Sequence, residues 1–312
     1  MMKKSMDMKM VNEKILAILI ISTVIAISGC ISTQEVKVSS TDGIMITEFS
    51  ADYDRYSSRE PISVSVEIEN VGGTTARNTI VEILGATWTN VNPCGPWDLK
   101  PPDLTVSPPL RGDVKACNRI ISPFSQLPEG VEFPIQLIAR TTYDYKSNGA
   151  IQVYVFSKEF YTYSIRENKP IPVSYNVSNS MGPIHIDLDA RLPLIISSPG
   201  DEIPVNIIFK NVGSGVPIIR GGGRGASTES VGKLTVSLSI IGGSFKECGY
   251  LQGSGTTVTG TIQLRKGETI RIPCTITISN VPATYNVISL TFESSYGYFT
   301  EKPLNVVVVG RQ

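Results

Sequence analysis

The chain has 312 residues, with 28 basic side chains, 28 acidic ones and a single histidine. Balanced charge leaves neither a basic excess to hold nucleic acid nor an acidic tail, so no nucleic-acid partner is expected. One histidine leaves little of the residue that most often moves protons or binds metals, and the length predicts about two domains of roughly 100–200 residues.

Residues 1–29 read as an export signal or membrane anchor. Lys3, Lys4, Lys9 and Lys14 form a positive start, and the uncharged apolar run Ile15–Gly29 follows. A basic start, an apolar run and small residues before a cut site are the parts of such a signal. The run ends in Ile27-Ser28-Gly29-Cys30, which resembles a lipoprotein lipobox. That resemblance implies cleavage before Cys30 and a lipid on its sulfur. The alternative is an uncleaved anchor, because Ile15–Thr33 is 19 uncharged residues, near the roughly 20 that cross a bilayer. Either way residues 30–35 are a short tether. The rest of the chain is then extracytoplasmic, at the cell surface, with the membrane as its first partner.

Beyond the tether the sequence is written twice. Ile62, Val64, Val66 and Ile68 alternate with polar residues and lead into Asn70-Val71-Gly72. Ile203, Val205, Ile207 and Phe209 do the same before Asn211-Val212-Gly213, at a constant offset of 141. Downstream, Cys94-Gly95 recurs as Cys248-Gly249 at offset 154. Ile135, Leu137, Ala139, Thr141, Tyr143 and Tyr145 recur as Ile288, Leu290, Phe292, Ser294, Tyr296 and Tyr298 at offset 153, and IQVYV from Ile151 recurs as LNVVVV from Leu304. The jump in offset places an insertion of about thirteen residues in the second copy, at the Gly-rich segment Ile218–Ser230. Period-two alternation predicts half-buried strands, and Gly, Pro, Asn and Ser mark turns between about seven short strands per copy. No sustained helical period follows residue 30. The expectation is an all-β protein, with two tandem immunoglobulin-like β-sandwich domains after the N-terminal segment. They span 36–157 and 183–312, with an exposed linker at 158–182.

A turn, an alternating strand and Asn-Val-Gly, present twice, resemble the CARDB-like and related immunoglobulin-like modules of archaeal and bacterial surface proteins. The resemblance implies a tandem extracellular adhesion or spacer module with no common enzymatic site and no cofactor.

Four cysteines remain after Cys30. They allow three pairings, and duplicated units usually keep their bridges internal, which predicts Cys94–Cys117 and Cys248–Cys274. The alternative is a set of buried free thiols. Zinc is disfavoured, because no pair has the close spacing of tetrahedral sites. The same alignment places Arg111-Gly112-Asp113 opposite Lys266-Gly267-Glu268. The tripeptide is therefore expected as a turn between strands, with Gly supplying a positive φ, and not as a receptor motif.

Candidate site residues are few. His185 and Asp187 alternate with Ile184, Ile186 and Leu188 and read as the solvent face of a strand. Asp52 and Asp54 lack the spacing of a calcium loop, and no metal site is expected. The Gly221–Gly225 run lacks the Lys-Ser/Thr of a phosphate loop. Trp97 is a possible ligand contact, on a sugar or a protein, or else a cover for the neighbouring disulfide. The four tyrosines are expected to cap the core with their hydroxyls in water. Asn176-Val177-Ser178 is a glycosylation sequon in the linker. The function expected is a non-enzymatic, membrane-tethered envelope module whose partner is an envelope protein or glycan. The alternative is an accessory module that binds carbohydrate through Trp97.

Overall fold

A computed structural model describes residues 36–124, 127–219 and 230–310. The signal, Cys30, the tether and most of the Gly-rich insertion, Gly221–Gly225 included, lie outside the described residues. Val36–Gln312 forms one compact unit.

The strands of the first copy are β1 (Ile44–Ala51), β2 (Arg55–Ser57), β3 (Ile62–Asn70), β4 (Ala76–Leu84), β5 (Cys94–Leu99), β6 (Val114–Ile121) and β7 (Glu132–Ser157). A helix, α1 (Lys158–Arg166), and strand β8 (Tyr175–Asn179) follow. The second copy contributes β9 (Ile184–Asp189), β10 (Leu194–Ile196), β11 (Glu202–Asn211), β12 (Val216–Ile218) and β13 (Lys233–Ile241). It ends with β14 (Ser244–Cys248), β15 (Thr257–Gln263), β16 (Thr269–Thr277) and β17 (Tyr285–Val309). A ten-stranded sheet has the central order β15-β13-β17-β7-β4-β5, and β2, β8, β10 and β12 pair along its two longest strands. Two smaller sheets have the orders β1-β3-β6 and β14-β16-β11-β9. The described residues are all-β apart from one α-helix.

The alternating residues form strands because each buries one face. On β7 the buried positions Ile135, Leu137, Ala139, Thr141, Tyr143 and Tyr145, then Ser147, Ile151, Val153, Val155 and Ser157, share one parity, so one face of the long strand is covered; only at its end is the other face also buried, at Phe156. On β17 the buried set runs from Ile288 to Val308 in the same way. Both small sheets contribute to that cover. The Phe209 ring of β11 meets Phe292 of β17 at 5.5 Å, edge to face, and the Ile44 N–H of β1 reaches the Tyr143 hydroxyl at 3.1 Å.

The length of β7 and β17 is the main departure from the expected short strands. In an isolated sandwich the TYDY and IQVYV segments would form a hairpin, and Asn148-Gly149 between them is a strong hairpin dipeptide. Here the chain runs straight through it. The two long strands pair antiparallel without a break, from Glu132 opposite Val309 to Phe156 opposite Tyr285. Ile151 and Val153 therefore lie beside Leu290 and Ile288 of the second copy, and Val306 lies beside Ile135 of the first. Each copy gives its last strand to the other. Asp144 and Gly297, equivalent positions of the duplication, face each other, so a pseudo-two-fold axis passes through that pair.

Residues 158–182, expected as an exposed linker, carry α1 and β8. The helix is too short for its period to show in the sequence, but its end signals are present. Ser157 caps it by accepting from the Phe160 N–H, Glu159 lies in the first turn and Arg166 in the last.

The disulfides are Cys94–Cys117 and Cys248–Cys274. They are not geometrically equivalent. The first joins β5 in the ten-stranded sheet to β6 in a small sheet, whereas the second joins directly paired residues of neighbouring strands. The reason is that β5 pairs with β4, while its counterpart β14 pairs with β16.

Candidate functional site

The chemistry-bearing residues converge on the middle of the long strand pair. Tyr143, Tyr145, Tyr296 and Tyr298 lie next to the pseudo-axis and are all buried. The expectation that their hydroxyls reach water is corrected: burial leaves each hydroxyl in need of an internal partner. The Tyr145 oxygen accepts from the Gly73 N–H at 2.9 Å and donates to the Met181 carbonyl at 3.1 Å. The Tyr298 oxygen accepts from the Gly215 N–H at 3.0 Å and donates to Asn211 Oδ1 at 2.9 Å. Tyr296 shares a hydrogen with Ser147 at 2.5 Å. Burial pushes the Tyr143, Tyr296 and Tyr298 hydroxyls well above the ordinary tyrosine range. They are structural caps, held neutral.

The Asn-Val-Gly motif is more than a turn. The buried Asn70 amide donates to the Thr74 and Leu99 carbonyls at 2.9 and 2.8 Å. Asn211 repeats this with Gly215 and Arg265 at 2.9 and 3.0 Å. The repeated Asn thus ties a strand end to the loop beyond it, and the tyrosines hold the following backbone.

On the opposite, uncovered face of the sheet, a groove of about 470 Å³ lies over the pseudo-axis. Arg77, Asp144, Lys146, Thr235 and Ser295 line it, and Tyr145 and Tyr296 meet it only along their backbone, because their rings are buried on the covered face. Asp144 accepts from the Asn78 amide at 2.8 Å. The duplication explains its asymmetry. In the first copy β4 runs past this point with a bulge, where Asn78 takes φ 49°. In the second copy the same line beside β17 is split, with Ile218 opposite Gly297 and Thr235 opposite Ser295.

Arg111-Gly112-Asp113 is tied into the fold. Arg111 grips the fully buried Glu69 through two bonds, of 2.6 and 2.7 Å. The Asp113 carboxylate accepts from the Lys100 N–H at 2.9 Å. The positive φ expected at this glycine occurs at Gly267 (69°) and not at Gly112. Gly112 is required for another reason: a Cβ there would stand 2.0 Å from the Asn70 carbonyl oxygen. Replacing Arg111 with Ala strands a buried carboxylate, so we expect a loss of about 3 kcal/mol in chemical denaturation. Arg111→Lys should recover only part of it, since one ammonium does not match the two-pronged contact.

The remaining candidates stay apart. His185 points outward from β9, with Nε2 3.1 Å from the Ser40 carbonyl oxygen. Asp187 is held by Lys210 at 2.7 Å. Burial raises its carboxyl, but the bonds from Lys210, the Leu188 N–H and Tyr175 outweigh that and hold it below the usual carboxylate range. Asp52 and Asp54 are exposed, and among the described residues no three metal-ligating side chains cluster. Trp97 is half-buried on β5 and packs against the core. Asn176 is exposed on β8, opposite Gln152. The sequence reading missed Trp88, whose Nε1 donates to the Ser122 carbonyl at 2.9 Å. Its ring meets Phe124 edge-on at 4.8 Å, and Phe124 stacks on Phe133 at 4.9 Å. Three aromatics so far apart in sequence give no local signal. Among the described residues no helix is long and apolar enough to cross a membrane.

No protein-family model matches the chain, and no curated protein matches it in sequence. Among solved structures, a red sea bream transglutaminase aligns with 85% of the chain at 11% identity and a TM-score of 0.18. The alignment spans only 31% of that enzyme. The collagen-binding domain of the Erysipelothrix rhusiopathiae surface protein RspB aligns with 88% of the chain and 96% of its own length, at 8% identity and a TM-score of 0.13. A collagen adhesin from S. aureus gives 89%, 96%, 8% and 0.12. At these scores the likenesses carry no argument about fold or activity, which rest on the chain's own geometry.

Proposed function

We propose that this chain is a non-enzymatic, membrane-tethered module of the cell envelope that holds or spaces a partner outside the cytoplasm. Its two immunoglobulin-like sandwich units are the copies 36–157 and 183–312, joined by exchange of their last strands. The observation that carries this reading is the unbroken β7–β17 pair, which runs through both copies. Motion of one copy against the other requires that ladder to open, so load applied at one end reaches the other through a continuous set of hydrogen bonds. Two internal disulfides fit an oxidising compartment. The partner, an envelope protein or glycan, would engage exposed loops or sheet edges. Lipid on Cys30, or the uncleaved segment 1–29, supplies the tether. The rival reading, sugar bound on Trp97, has less support because that ring packs against the core.

The test is to express the full chain in an envelope-bearing cell, fractionate it, and determine the N-terminal peptide and thiol state by mass spectrometry. A membrane-bound protein that begins at a lipidated Cys30 or retains residues 1–29, with Cys94, Cys117, Cys248 and Cys274 oxidised, is expected. A cytoplasmic protein with those four cysteines reduced overturns the proposal.

A further inference from the structure

We propose that Lys302 and Pro303 close an open edge of β17 to strand addition, so that neither a second copy of this chain nor an extended peptide lengthens the ten-stranded sheet there. The inference stands on the duplication and holds whether or not the chain is tethered to a membrane. It removes one sheet edge from those that a partner could use.

The edge is open in one copy and filled in the other. On the side away from β7, strand β17 pairs with β13 at Ser289–Ser295, with β12 at Gly297–Phe299 and with β2 at Val307–Val309. No strand among the described residues pairs with 300–306 on that side. The equivalent stretch of β7, Gly149–Val153, is paired with β8. At the offset of 153, Gly149, Ala150, Ile151 and Gln152 correspond to Lys302, Pro303, Leu304 and Asn305. Ile151, beside Val177 of β8, is fully buried, whereas Leu304 is partly exposed. The chain before β1 does not fill the place. The Ser180 N–H after β8 goes to the Asn148 carbonyl of β7 at 2.9 Å, but the Ser39 N–H, at the matching position, goes to the Val71 carbonyl at 2.8 Å.

The open stretch presents backbone groups. The Val307 N–H donates outward to the Asp54 carbonyl at 2.9 Å. Such groups alternate sides along a strand, so Glu301, Pro303 and Asn305 also turn theirs outward. A row of this kind is a template for another strand.

Two residues spoil the template, and the filled edge of β7 lacks both. Ala150 has an N–H to turn toward Ser178 of β8; Pro303 has none. Gly149 leaves room for β8: a Cβ there would stand 2.7 Å from Asn179 Oδ1 and 2.8 Å from Ile186 Cγ2. Asn179 pins β8 to β9, accepting from the Ile186 N–H at 2.8 Å and donating to its carbonyl at 3.0 Å. In the first copy β1 stands for β9, with Ile44 beside Asn70 as Ile184 is beside Asn211. Lys302 puts a side chain where Gly149 has none, and its ammonium crosses to the Thr47 carbonyl of β1 at 3.2 Å. It thus occupies the passage between β17 and β1 that β8 fills between β7 and β9. Lysine and proline are the residues with which sheet edges are blunted.

The test uses the full chain in detergent micelles, the double variant Lys302→Gly/Pro303→Ala, and a labelled synthetic peptide with the sequence of residues 173–181, read by fluorescence anisotropy. The double variant should bind the peptide about tenfold more tightly than the wild type, or better. Its Glu301 and Asn305 amides should gain protection from hydrogen exchange when peptide is added, and those of the wild type should not. Wild-type binding as tight as that of the variant overturns the inference, as does no binding to a double variant whose far-ultraviolet dichroism matches the wild type. If the double variant does not fold, Pro303→Ala alone carries the test: added peptide should protect its Asn305 amide, and no protection overturns the inference.

Discussion

Residues 36–157 expressed alone should form a symmetric dimer through β7. The isolated copy loses Leu304–Val309, which supplies the buried Val306 and Val308 beside its own Ile135 and Phe133. It also exposes Ile151, Val153 and Val155, which in the full chain are buried among the second copy's strands. At about 1.5–3 kcal/mol for each large apolar side chain returned to water, the loss is comparable to a domain's whole stability of roughly 5–15 kcal/mol. A second molecule cancels it. The duplication offset places Ile151, Val153 and Val155 of one chain where Leu304, Val306 and Val308 were, and the antiparallel register is conserved about Asp144.

That axis carries the discriminating detail. In the full chain Asp144 faces Gly297, but in the dimer of the first copy it would face Asp144 of the other molecule. Like charges directly opposite on neighbouring strands are destabilising. The wild-type fragment should therefore dimerise more weakly than Asp144→Gly. Light scattering on the two fragments reads this directly. A stable, folded monomer of either would mean that β7 folds back at Asn148-Gly149 into a hairpin, and that the exchange is not required by the sequence of one copy. The Asp/Gly difference between the copies thus favours pairing within a chain over pairing between chains.

Raising the pH past 10 should unfold the protein cooperatively. Tyr143, Tyr296 and Tyr298 have hydroxyls raised by burial in the folded state, whereas in the unfolded chain they ionise near pH 10. A group with a raised folded pKa contributes stability that is intact below the unfolded value and is lost as pH climbs toward the folded one. Each contributes a slope of about 1.4 kcal/mol per pH unit, so three together give about 4 kcal/mol per unit above pH 10. Two units of that slope, about 8 kcal/mol, reach the stability of an ordinary domain. Far-ultraviolet dichroism and tyrosinate absorbance followed together should show these three of the 12 tyrosines ionising in step with loss of the sheet. Smooth ionisation of all tyrosines near pH 10 with the dichroism unchanged would show that the buried hydroxyls are reachable by hydroxide and that the quartet does not hold the centre closed.

The sequence by itself determined the strand class, the duplication and the partner within each copy for each cysteine. Alternation such as Ile62-Val64-Val66-Ile68 is a local consequence of one face being buried, and it survives in any all-β arrangement. It also marked Asn70 and Asn211 as repeated, though not that their amides would be buried plugs, since hydrogen-bond partners such as Leu99 and Arg265 lie far along the chain. Only the tertiary structure decided which copy's strands each last strand joins. Period-two patterning fixes the faces of β7 but says nothing about its neighbour, and IQVYV and LNVVVV are interchangeable in shape and polarity. The local preference of Asn148-Gly149 for a hairpin yields to the apolar area that a straight strand buries against Leu290 and Ile288. The same choice brings Arg77, Lys146, Thr235 and Ser295 to one groove. A groove assembled from both copies around an axis has no contiguous motif in the sequence.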